Sequence, residues 1–328
     1  MKLVKIARNA ATMTGQALVY FLNLKLVRII LLIASICCVV FSAQVVSKSF
    51  HLGIDFSANH GFGQVLLYVI VLGGLGAFIN FVWHRSIISA FLQYWRRPGR
   101  AILGFLFAAG VTLLSCTILY ALLIAFGGIS FSLADAAKMT PAAIMSFVGA
   151  IITGPMIAST EEVIFRGFLF NYFRSNSKAA PIAAIVGSAV IFALSHKLFK
   201  PLAWFHVGGI ELFVGLSMLG ITLAATYWLT RSLAMSAGVH AGVVWAEIIK
   251  THTNVVHWHH NSWLLGDQDV RTSPLVWLMF LAILLFFHRI SPWIKQRFTI
   301  EGTPNDAGRR DKKMKASNSV GNLGEAFE

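Results

Sequence analysis

Apolar runs about one bilayer thick alternate with short polar breaks along most of this chain. A hydrocarbon core of about 30 Å takes about 20 helical residues to cross. By that measure the runs at about 27–46, 62–83, 101–126, 142–174, 181–196, 209–229, 232–249 and 274–291 predict eight spans. The predicted fold is therefore all-α, a polytopic transmembrane helix bundle of about eight spans. The fourth run is too long for one straight crossing, and Gly154-Pro155 predicts a kink or restart inside it, because proline lacks an amide proton and clashes with the preceding turn. Four parts follow: a cytoplasmic segment at 1–26, N-terminal transmembrane helices at 27–139, a core at 140–291 that holds the candidate chemistry, and a basic disordered tail at 292–328. No internal repeat is evident, which argues against an inverted-repeat transporter.

Composition fixes the solvent. With 57% hydrophobic residues, 12% charged residues and a mean hydropathy of +0.72, the chain lies outside the range of soluble domains. Cys37, Cys38 and Cys116 all sit within apolar runs, which suits small core hydrophobes better than a disulfide framework. The net charge of +14 is scattered between spans and forms no contiguous surface for nucleic acid, so nucleic acid is not an expected partner. Topology accounts for it instead. Alternating the loops from a cytoplasmic N-terminus puts roughly 20 Lys and Arg inside against 6 outside, with Arg166 alone in the membrane, so both termini are expected in the cytoplasm. Membrane lipid is the first expected partner.

Ionisable groups inside apolar helices point to function by default. Ser159-Thr160-Glu161-Glu162-Val163-Ile164-Phe165-Arg166 places three of them within six residues. On a helix Glu162 and Arg166 stand at i and i+4 and can pair. Glu161 is rotated about 100° away, a carboxylate without a local partner and so a candidate general base. Phe192 and His196, also at i and i+4, share a face on which the phenyl ring can orient the imidazole. His240 lies in Ser236-Ala237-Gly238-Val239-His240-Ala241-Gly242, where small neighbours let helices approach and direct it into the bundle. Glu247, two turns beyond His240, either orients that histidine or pairs with Lys250. The stretch from His252 through His257, His259 and His260 reads as a wet, pH-sensitive outer loop anchored by Trp258 and Trp263.

These motifs resemble, in order and on successive helices, the CPBP family of CAAX prenyl proteases and bacteriocin-processing enzymes, also called abortive-infection-like proteins. The family pattern is Glu-Glu-x-x-x-Arg, then Phe-x-x-x-His, then His-x-x-x-Asn or Asp. Glu161, Glu162 and Arg166 meet the first; Phe192 and His196 meet the second. His240 meets the third in part, since Val244 stands where the family has Asn or Asp.

The resemblance implies an intramembrane endopeptidase acting on a membrane-associated or lipid-modified peptide. In that scheme Glu161 with His196 activates a water, His240 stabilises the oxyanion, and Glu162, Arg166 and Phe192 give structural support. No cofactor is favoured, although Glu161, His196 and His240 would also suit a divalent metal such as zinc with an open water position. The expected location is the cytoplasmic (inner) membrane of a prokaryote. A non-catalytic scaffold or bacteriocin-immunity protein of the same fold is the alternative, with Val244 as its support, and a solute transporter using the same groups as a proton relay is a third.

Overall fold

The computed structural model describes residues 73–74, 76–77, 97–132, 134, 138–175, 180–196, 209–253, 255–259 and 270–298. The two expected spans at 27–46 and 62–83, both termini, the tail at 292–328 beyond Phe298, and Trp263 and His260 in the histidine-rich stretch lie outside the described residues, apart from a few helical positions near Gly73.

The described part is mostly helical. In chain order it consists of α1 (Pro98–Ala125), β1 (Ile129–Phe131), α2 (Pro141–Glu162), a π-helical segment (Val163–Phe170), α3 (Asn171–Ser175), α4 (Ala180–Ser195), α5 (Gly209–Thr230), α6 (Leu233–Thr253), β2 (Val256–Trp258), a 3-10 turn (Val270–Thr272) and α7 (Pro274–Phe298). Four stretches, Pro98–Ala125, Ala143–Arg174, Gly209–Thr230 and Pro274–Arg297, are long and apolar enough to cross a membrane, and Pro181–Ser195 is a shorter apolar helix. The fold is not purely helical: β1 and β2 pair antiparallel, with Ile129 opposite Trp258 and Phe131 opposite Val256. That pairing draws part of the histidine-rich stretch out of the expected loop. Trp258 packs against the core, while His257 and His259 are exposed.

The apolar exterior of the bundle is visible on α1. Leu103, Leu106, Leu114 and Ile118 point outward, whereas its buried positions include Ala101, Gly104, Ala108, Ala109 and Thr112. Small residues face inward because α6 runs tightly along them: a side chain at Gly238 would strike the Phe105 carbonyl, and one at Gly242 would come within 3.0 Å of the Ala109 carbonyl. This is the small-xxx-small seam that lets membrane helices approach closely. Packed between α1 and α2, α6 is buried continuously from Ala234 to Gly242. An interior helix meets protein on its flanks, which is why α6 can carry His240, Glu247 and Lys250 and yet fall outside the four most apolar stretches.

Pro155 does not break α2, which runs through it to Glu162. The carbonyl left without its i+4 amide partner is that of Ile151, and Trp245 Nε1 on α6 donates to it at 2.8 Å. A neighbouring side chain thus replaces the missing backbone donor, which is how membrane helices tolerate internal proline. The irregularity falls instead after Glu162, where the π segment Val163–Phe170 takes over.

Both ends of the bundle differ in charge. Gly238 beside Phe105 and Gly242 beside Thr112 make α1 and α6 parallel. Thr222 Oγ1 donates to Phe280 O at 3.3 Å, and Gly215 abuts Arg271, which makes α5 and α7 parallel too. One end therefore gathers Arg97, Arg100, Arg174, Arg231, Arg289, Lys295 and Arg297 with no acid among the described residues, and the other has Lys138, Lys250 and Arg271 with Glu211 and Glu247.

Candidate active site

The site forms where α2 passes into the π segment, facing α4 and α6. Glu162 and Arg166 are fully buried, and Arg166 Nη1 donates to Glu162 Oε1 at 2.7 Å. Arg166 Nη2 donates to the Gly220 carbonyl of α5 at 3.0 Å. Its guanidinium also lies 4.8 Å from the Phe192 ring centroid and 5.8 Å from that of Phe165. At Gly220 α4 runs close against α5, since a Cβ there would sit 2.8 Å from Ala189 Cα. Arg166 therefore joins three elements as well as neutralising Glu162. An ion pair this deep costs desolvation that only its hydrogen bonds offset.

Glu162 has two further partners, both on α6. Ser236 Oγ, which lies 2.9 Å from the Leu223 carbonyl of α5, donates to Glu162 Oε2. His240 Nδ1 is 3.1 Å from Glu162 Oε1. A carboxylate accepts, so this contact assigns the proton to Nδ1. Nε2 of the same ring is thereby aimed at Glu161, 3.7 Å from Oε2. Sequence reasoning missed Ser236, which stands one turn before His240 on the same helix face; that spacing is the signal that could have found it.

Glu161 is the more accessible of the two acids, its side chain 24% exposed against 0% for Glu162. Its Oε2 is nevertheless buried and has no hydrogen-bond partner. His196, at the end of α4, is exposed, and its Nδ1 lies 2.8 Å from the Phe192 carbonyl. A carbonyl can only accept, so Nδ1 carries the proton and neutral His196 presents Nε2 as an acceptor. Phe192 lies against both histidines, with ring centroids 4.5 Å from His196 and 5.6 Å from His240. It also meets Phe165 edge-to-face at 5.2 Å. Glu161, Arg271 and His240 all lie within electrostatic range of His196.

Glu247 does not approach this cluster through any observed contact. It pairs with Lys250 at 2.8 Å, and His240 is held by Glu162. Val244, one turn after His240, turns its Cγ1 toward α2, where it would lie 2.9 Å from a Cβ at Gly154. Among the described residues no three of His, Cys, Asp and Glu gather in the way a metal site needs. Glu161 and His240 are the pair that could approach one ion together, and among the described residues no third such group is gathered with them.

Residues 141–246 match the family model described as type II CAAX prenyl endopeptidase Rce1-like. The matched segment, about a third of the chain, is similar to that family. The match spans Glu161, Glu162, Arg166, Phe192, His196 and His240 and ends one residue short of Glu247. It gives this part of the chain the fold of a CAAX protease-type membrane endopeptidase. No curated protein and no solved structure matches the chain.

Proposed function

We propose that the Rce1-like domain hydrolyses a peptide bond of a membrane-associated or lipid-modified peptide, using water activated by Glu161 and His196. The observation that carries this reading is the complementary wiring of the two imidazoles. His196 spends Nδ1–H on the Phe192 carbonyl and offers Nε2 as an acceptor. His240 spends Nδ1–H on Glu162, so its Nε2 acts as a donor only when the ring is protonated. Beside two carboxylates, one of them already paired with Arg166, that imidazolium leaves the cluster of Glu161, Glu162, Arg166 and His240 formally neutral.

The steps follow from these roles. Glu161 takes a proton from a water as the oxygen attacks the scissile carbonyl, with His196 Nε2 accepting the second water hydrogen bond. Negative charge builds on the carbonyl oxygen and is met by His240 Nε2–H, in surroundings dry enough to strengthen that interaction. Glu161 then passes its proton to the leaving nitrogen, the C–N bond breaks, and the peptide separates into a new carboxylic acid and a new amine, the acid losing its proton to solvent on release. Glu162, Arg166 and Ser236 act through His240 by fixing its ring. No metal has a part in these steps, and the resident cofactor expected is none.

Comparing peptides released in cells making the full chain or its Glu161→Gln form, by mass spectrometry, tests the proposal. Fragments that require the wild-type chain are expected, and identical peptide sets from the two would reject it. The non-catalytic alternative draws on one observation, the apolar contact of Val244 with Gly154 where the family pattern has a polar side chain. Under that reading the Glu161→Gln chain retains the full cellular phenotype.

A further inference from the structure

The π segment carries Arg166 near its middle and gives way to α3 at Asn171. The backbone amide of Asn171 turns to the Phe168 carbonyl. Its side-chain amide reaches further: Nδ2 lies 3.1 Å from the Arg166 carbonyl, 3.0 Å from the Gly167 carbonyl and 3.0 Å from the Tyr227 hydroxyl of α5. Carbonyls only accept, so the nitrogen of this amide, and not its oxygen, faces them. With two protons for three acceptors, one proton is shared, the three-centre arrangement common at helix ends. Tyr227 is itself braced, its ring edge-to-face with Phe170 at 5.4 Å.

Tyr227 stands two turns beyond Gly220 on α5, and seven residues of helix return to nearly the same face. Gly220 is the residue whose carbonyl receives the Arg166 guanidinium at 3.0 Å. Arg166 is thus tied to one face of α5 twice, by its side chain at Gly220 and by its main chain through Asn171 at Tyr227. These ties fix where the guanidinium meets Glu162, and Glu162 in turn holds His240 Nδ1 at 3.1 Å. π-helical turns are rare and occur mostly at functional sites, and here the turn is fastened at its far end by a side chain outside every motif that pointed to the site. We propose that Asn171 is a positioning residue for the hydrolysis, holding the Arg166 main chain on α5 so that Glu162 keeps His240 in register with Glu161; this rests on the protease reading. Asn171 acts through Arg166 and touches no reacting group.

The test uses the full chain in detergent with isotope-labelled histidine, the His240 signal being assigned against His240→Gln. The Nδ1–H of His240, held by Glu162 in wild type, gives the resonance to follow. Cleavage of a synthetic farnesylated peptide with a CAAX-type end gives kcat and KM. Asn171→Leu keeps the volume and deletes both donors: the His240 resonance should shift or broaden, and kcat should fall about tenfold or more with KM changed less than about twofold. Asn171→Asp sets a carboxylate against two carbonyls and should do no better. Asn171→Ser, whose hydroxyl can return to the carbonyl four residues back, should recover part of kcat. Tyr227→Phe removes only the α5 end of the tie and should give a smaller change in the same direction, which carries the test if Asn171→Leu does not fold. Thr117→Val, deleting a hydroxyl bond on the outward face of α1, should alter neither readout. A lowered unfolding temperature with resonance and kcat both unaltered overturns the proposal, because Asn171 would then serve only as a helix cap. Wild-type behaviour of Asn171→Asp overturns it as well. If the wild type leaves the peptide uncut, the protease reading fails on that substrate and the His240 resonance alone decides the positioning.

Discussion

Removing the indole donor of Trp245 asks whether α2 depends on its neighbour to pass Pro155. Trp245→Phe deletes the hydrogen bond to the Ile151 carbonyl, observed at 2.8 Å, and alters the edge-to-face contact with Phe105 at 6.2 Å. The packing loss is common to any background, but the hydrogen-bond loss is not. In wild type, Pro155 leaves Ile151 without a backbone donor, whereas in Pro155→Ala the new backbone amide at that position can serve it. Interhelical hydrogen bonds in membranes average about 0.6 kcal/mol and reach about 1.7 kcal/mol. A carbonyl with no alternative donor belongs near the upper figure, since an unmet buried group costs about 1–3 kcal/mol. Trp245→Phe should therefore cost about 1–2 kcal/mol more in the wild-type background than in the Pro155→Ala background. The assay is a double-mutant cycle of reversible unfolding in mixed micelles. Additive costs, with coupling under about 0.3 kcal/mol, would refute the claim that the indole substitutes for the missing amide.

Four further outcomes are expected. Glu161→Gln and His196→Gln should each abolish peptide release while the purified protein keeps its helical circular dichroism and unfolding temperature; retained release by either removes it from the proposed chemistry. Ser236→Ala leaves Glu162 Oε2 without its hydroxyl donor, so stability should fall by about 1–3 kcal/mol and kcat should fall more than KM, with Ser236→Thr recovering part of both. Arg166→Met strips the buried Glu162 of its partner and should destabilise by about 3–5 kcal/mol, measured by the same unfolding assay; a neutral result would show that the ion pair is dispensable. Incubation with a strong zinc chelator should leave peptide release unchanged, and a loss restored by added zinc would assign the cluster to a metal.

Much of the site was legible because helix periodicity converts sequence spacing directly into shared faces. Glu162 with Arg166 and Phe192 with His196 needed only the i, i+4 rule, and the observed contacts are of that kind. What spacing could not supply was the partner across helices. Nothing near Glu162 in sequence announces Ser236 or His240, which arrive from α6 through tertiary packing 74 and 78 residues away. Pro155 misled for the same reason: its local effect is to break a helix, and the donor that cancels that effect comes from Trp245, 94 residues from Ile151. Hydropathy located α1, α5 and α7 well. It could not distinguish α6 as an enclosed helix, because apolar content alone does not say whether lipid or protein lies beside a residue. The β1–β2 pairing escaped because three-residue strands are too short to carry a period.

Enclosure of α6 also dictates an order of assembly. A helix bearing His240, Glu247 and Lys250 gains little by dissolving in lipid alone, and its close seam with α1 is available only after a partner made more than a hundred residues earlier is waiting in the bilayer. Synthesis order puts α1 and α2 ahead of α6, so both are available to receive it. The proposed reaction centre would come into being at that late docking step, with Glu162 meeting Ser236 and His240 only once the bundle closes.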